Sequence, residues 1–202
     1  MFQQSSYSEQ LTFFQKLRSF DFILIICVLL LGLVSNISMY STDGGELLYH
    51  TKSHLVRFVV FFVMMLVLSF FSLRFWHSTA YFFYIIVLGF LVWASLYGIT
   101  ASGSQRWINL YFINLQPSEL MKIAIIVCFA RYFHREQITN VSSFKNIILS
   151  LAILVMPIVL VMSQPDLGTS ILIAASGLIV LWLAGLNVRY FVYSALILLV
   201  SF

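Results

Sequence analysis

Seven runs of apolar residues, separated by short polar connections, leave this chain few folds to choose from. They are Phe22–Met39, Leu55–Leu73, Thr79–Tyr97, Pro117–Phe133, Ile147–Ser163, Thr169–Leu186 and Phe191–Phe202. Crossing about 30 Å of hydrocarbon at 1.5 Å per residue takes roughly 20 helical residues, and the first six runs approach that length. A soluble domain could not bury so much apolar surface, because 61% of the 202 residues are hydrophobic and only 9% are charged. The expected fold is all-α, a polytopic transmembrane helix bundle. The seventh run has only about half a span's length where the sequence stops. Six full spans and a truncated seventh are therefore expected, in one incomplete membrane domain over residues 1–202.

The net charge of +4 would hint at nucleic acid in a soluble protein. Here the basic residues sit mainly in short connections, where they set orientation, and no nucleic-acid partner is expected. With the N-terminus in the cytoplasm, Lys16, Arg18, Arg74, Arg131, Arg135, Lys145 and Arg189 lie inside. Lys52, Arg57, Arg106 and Lys122 lie outside. The bias favours that orientation, with outside loops near residues 40–54, 98–116 and 164–168. The first run is too long for a signal-peptide core and no A-x-A-like site follows it, so it reads as a retained signal anchor. Cys27 and Cys128 fall in separate apolar runs and read as small thiols, not as a disulfide.

Two stretches carry chemistry. In Ser102–Lys122, SGSQRWINLYFINLQPSELMK, Pro117 suits a first helical position and Glu119 falls in the first turn, where a carboxylate complements the helix dipole. Lys122 lies three residues on, within reach of Glu119. That is a cap with a local ion pair, or, in a membrane helix, an ionisable pair facing a polar cavity. Arg106 and Trp107 read either as an interfacial anchor or as a pair in which Arg106, with Lys122, binds an anionic phosphate while Trp107 packs on a ring or isoprenoid. In Gln164–Ser170, QPDLGTS, Pro165 and Gly168 mark a helix break. Asp166 either caps the next helix or lines the cavity that holds Glu119 and Lys122. A third group, Asp43, Glu46, His50 and His54, reads as a solvated loop, although histidines at i, i+4 could bind metal on a helix. Ser170, Ala174 and Gly177 suggest close helix packing. No P-loop, dinucleotide fingerprint, HExxH or GxSxG motif is present.

SGSQRWINL, then LQPSELMK, then QPDLGTSIL after one more helix together resemble the SEDS family (shape, elongation, division and sporulation). The wording of QPDLGTS and of the QRW loop is closer to its rod-shape branch than to its division branch. The resemblance covers most of the chain in span order. It implies a bundle of about ten membrane helices in a bacterial inner (plasma) membrane, and a peptidoglycan glycosyltransferase that polymerises lipid II, an undecaprenyl-pyrophosphate-linked disaccharide-pentapeptide, on the outer face. It implies a class B penicillin-binding protein and the elongation machinery as partners, for cell shape and cell wall growth. Trp107, Glu119, Lys122 and Asp166 carry over as cavity residues and Arg106 as a phosphate contact. The family's general-base aspartate is expected beyond residue 202, so this chain alone would be inactive. Departing pyrophosphate needs positive charge, to which a divalent metal such as Mg2+ or Mn2+ could add. Two other readings remain, a lipid-linked precursor flippase and a non-catalytic scaffold for the penicillin-binding protein.

Overall fold

A computed structural model describes residues 18, 20–101, 104–109, 114–134, 143–187 and 189. Among them six helices carry the first six apolar runs: α1 (Phe22–Thr42), α2 (Tyr49–Ser69), α3 (Leu73–Tyr97), α4 (Pro117–His134), α5 (Phe144–Met162) and α6 (Leu167–Leu183). α1, α2, α3 and α5 are long and apolar enough to cross a membrane. α6 is apolar but has 17 residues, and α4 has 18 with Glu119, Lys122 and Arg131 among them. The expected seventh span, Phe191–Phe202, lies outside the described residues.

Two expectations change. The loop expected at 40–54 is shorter, because α1 runs on to Thr42 and α2 begins at Tyr49. Leu48 precedes α2 without a side-chain cap. Asp43 takes that role from across the turn: one carboxylate oxygen accepts the Thr51 N–H at 2.9 Å and the Thr51 hydroxyl at 2.6 Å. A helix start satisfied in this way extends beyond its apolar stretch. The loop expected at 98–116 contains three short antiparallel strands, β1 (Ile99–Ala101), β2 (Ser104–Asn109) and β3 (Asn114–Leu115), in that order. Ile99 pairs with Trp107 and Ile108 with Leu115.

The chain divides between Ser72 and Leu73 into two compact units. The first is the α1–α2 hairpin. The Asn36 amide donates to Gly32 O at 2.8 Å, leaving its carbonyl oxygen to accept from His54 Nδ1 at 3.1 Å. His54 Nε2 meets the Ser35 hydroxyl at 3.1 Å. Polar side chains inside a membrane hairpin thus satisfy one another.

The second unit packs α3 to α6 around Leu91, Met121, Ile125, Phe129, Leu154 and Ile173, all buried. Leucines and isoleucines such as Ile85, Leu96, Ile171 and Leu183 face outward, as a lipid-bathed surface requires. Within α5, Pro157 has no N–H to give to Ile153 O, one turn earlier. The Tyr84 hydroxyl of α3 donates to that carbonyl instead, at 2.8 Å. Gly177 of α6 admits its neighbours closely: a Cβ there would lie 2.4 Å from Leu154 Cδ1 and 3.3 Å from Phe129 Cε2. The expectation of close packing along Ser170, Ala174 and Gly177 holds there, with Ser170 and Gly177 buried.

Two substitutions test this packing by thermal melting in detergent. Tyr84→Phe should cost about 1 kcal/mol by leaving Ile153 O without its donor. Gly177→Val should cost about 1–3 kcal/mol by overpacking.

Candidate functional site

At one end of the second unit, the close of α3, the start of α4 and the α5–α6 turn come together. Gly98 makes the exit from α3 tight: its N–H donates to Ala94 O at 2.9 Å, and a Cβ would sit 2.2 Å from that same oxygen. Strand β2 then lies against α3 and α4. Gln164, buried in the α5–α6 turn, donates from Nε2 to Leu91 O of α3 at 3.3 Å. Gln116, just before Pro117, accepts the Glu119 N–H on its carbonyl at 3.1 Å.

Asp166 is where these segments meet. It is the N-cap of α6, accepting the Thr169 N–H at 3.2 Å on Oδ1 and the Thr169 hydroxyl at 2.9 Å on Oδ2. Oδ2 also accepts from Gln116 Nε2 at 3.3 Å and forms an ion pair with Arg106 Nη1 at 3.1 Å. Burial pushes the Asp166 carboxyl up. The Thr169 hydrogen bonds and the Arg106 charge outweigh that, so it stays below the usual carboxylate range. At the α1–α2 turn, the Thr51 hydrogen bonds likewise lower the Asp43 carboxyl.

Glu119 and Lys122 occupy the first two turns of α4 and pair at 2.8 Å, with Glu119 the more exposed partner. The structure therefore sorts the expected charges into two pairs, Arg106 with Asp166 and Lys122 with Glu119. Asp166 is the cap, one of the two alternatives that the sequence left open, and its ion pair is with Arg106 and not with Lys122. Trp107 follows Arg106 on β2 and is half-buried; successive strand side chains point to opposite faces, so it lies on the other side of the strand from Arg106.

The third group is dispersed. Asp43 clamps Thr51, His54 faces α1, and His50 is exposed. The stretch from Tyr49 is helical, so the solvated-loop reading of the histidines is corrected. Among the described residues no three His, Cys, Asp or Glu side chains gather as metal ligands.

Sequence reasoning missed Gln116 and Gln164. Each precedes a proline, Pro117 or Pro165, at a helix break, and that repeated Gln-Pro pair was the available signal. At the opposite end of the unit, the Arg131 guanidinium donates to Ser78 O and lies 4.5 Å from the centre of the Tyr81 ring. The Tyr132 hydroxyl donates to Asn146 Oδ1 at 2.7 Å, and the His77 and His134 rings meet edge to face.

The profile of the cell cycle protein family that comprises FtsW, RodA and SpoVE matches residues 12–202. The chain belongs to this family. Among similar proteins of the SEDS family, peptidoglycan glycosyltransferase MrdB of Escherichia coli K12 is 35% identical over 178 residues, which are 88% of this chain and 47% of that protein. A probable peptidoglycan glycosyltransferase FtsW of Buchnera aphidicola subsp. Baizongia pistaciae is 27% identical, over 87% of this chain and 47% of that protein. The chain thus spans about half the length of the curated relatives it matches.

In fold it is similar to the rod shape determining protein RodA of Thermus thermophilus. The TM-score is 0.72 at 22% identity, covering 88% of this chain and 57% of that one. It is also similar to a chain of a peptidoglycan synthase complex that coordinates polymerisation and crosslinking, with a TM-score of 0.73 at 22% identity over 87% of this chain and 50% of that one. These likenesses and the apolar helices make it a multi-pass membrane protein with the helical bundle of its SEDS relatives.

Asp166 is more acidic folded than unfolded, so its contribution to stability is complete above the unfolded carboxylate value of about 3.9 and fades as pH falls toward the folded one. Melting of the wild type should therefore weaken below about pH 4. Asp166→Asn, which keeps a capping side chain, should lose part of that acid sensitivity in the same scan.

Proposed function

We propose that this chain serves in a peptidoglycan glycosyltransferase that polymerises lipid II on the outer face of a bacterial inner membrane, for elongation and rod shape. The observation that carries this reading is its 35% identity, over 88% of its length, to a protein named as that enzyme. On this reading residues 1–202 act as one membrane domain with the N-terminus in the cytoplasm. The ends of α3 and α5 and the starts of α4 and α6 then face outward, toward the sugar-bearing headgroup.

The chemistry of the cluster suits the task. When the acceptor hydroxyl attacks the donor's anomeric carbon, the pyrophosphate leaves with its negative charge, and fixed cations nearby stabilise that departure. Arg106 and Lys122 supply such cations, each held and oriented by a carboxylate. Trp107 offers a ring face to a sugar or an isoprenoid. Asp166 is a poor choice for the general base. Both its oxygens already accept hydrogen bonds, one also pairs with Arg106, and its carboxyl is shifted down. A class B penicillin-binding protein and the elongation machinery are the proposed partners, and the likeness to a synthase complex that polymerises and crosslinks supports the former.

Full-length protein with its penicillin-binding partner should convert labelled lipid II into glycan strands on a gel. Lys122→Ala should slow that conversion about 100-fold. If lipid II instead crosses vesicle membranes unpolymerised, the reading fails in favour of transport. If neither occurs and Glu119→Ala still supports rod shape, a scaffold role replaces both.

A further inference from the structure

The Arg106–Asp166 pair is unequal. Asp166 is held whether or not Arg106 is there: Thr169 donates to it twice and Gln116 once, and its place at the start of α6 favours negative charge. Arg106 belongs to a short strand, and its side chain is 27% exposed against 10% for the carboxylate. The cation is therefore the half that an arriving anion meets, and the carboxylate is the half that stays behind. At an interface crowded with phospholipid phosphates, an unguarded arginine would bind those headgroups. A tethered carboxylate competes at high effective concentration without losing translational freedom.

Resting on the reading of Arg106 as a phosphate contact, we propose that Asp166 is a built-in competitor that keeps phosphodiester headgroups off Arg106 until a pyrophosphate displaces it. A phosphodiester brings one negative charge, as the carboxylate does, and loses to the tethered group. An isoprenyl pyrophosphate brings more charge and more oxygens, so it displaces the carboxylate and engages the guanidinium. Asp166 then remains satisfied by Thr169 and Gln116, so its release leaves no stranded buried charge.

The test measures farnesyl pyrophosphate binding to the protein in dodecyl maltoside micelles, which carry no phosphate, with and without added phosphatidylglycerol. Wild type should bind with an affinity that phosphatidylglycerol barely changes. Asp166→Asn and Asp166→Ser both keep a side chain that caps α6 and remove the competitor. Each should bind about tenfold tighter in pure detergent and lose most of that gain once phosphatidylglycerol is added. Melting curves identify which variant is folded, and either suffices. If a folded variant binds no tighter than wild type, or phosphatidylglycerol competes equally in both, the competitor role is overturned while the phosphate contact stands. If Arg106→Gln binds as wild type does, the phosphate contact itself is wrong, and the competitor role falls with it.

Discussion

Hydrocarbon offers no water to an N–H or carbonyl left over where a helix starts or breaks, so the chain must supply its own partners. Several of the described polar residues do that work. Asp21 accepts from Ile23 and Leu24 at the start of α1, Asp43 from Thr51 at α2, Ser143 from Asn146 at α5, and Asp166 from Thr169 at α6. At α4 the first residue is Pro117, which has no N–H to satisfy. In the middle of the unit, Tyr84 answers the carbonyl that Pro157 leaves open.

That requirement also determines where chemistry gathers. Helices start and stop at the two membrane surfaces, so caps and their counter-charges collect at the ends of the bundle. At one end of the second unit the counter-charges are cations, Arg106 and Lys122, paired with carboxylates. At the other, Arg131 is answered by a carbonyl and an aromatic face. One end presents pairs from which an anion could win a cation; at the other, Arg131 lies against the bundle while Arg74 and Lys145 are exposed.

The helices were legible in the sequence because apolar length is a local property, and so were Glu119 and Lys122, which share a face at i, i+3 within one helix. The Arg106–Asp166 pair was not, because it joins a strand to a helix sixty residues on, and only tertiary packing sets that distance. The strands of 98–116 were obscured because they are short and rich in turn-prone residues, with no sustained alternation to read. The early start of α2 was missed because its first residues are polar and its cap comes from Asp43, outside the helix. Gln116 and Gln164 escaped notice because a glutamine beside a proline reads as part of a turn until its amide is seen spanning two elements.

The hydroxyl of Tyr84 on Ile153 O has a mechanical side. It joins two neighbouring helices at the one point where α5 is weakest, the turn before Pro157. A slide of α5 past α3 by one helical turn, about 5.4 Å, would strand a donor and an acceptor together. The bond thus favours one register of α3 against α5. At the charged end, α4, α6 and β2 are joined by one ion pair and one amide hydrogen bond centred on Asp166, so loosening that end begins with Asp166.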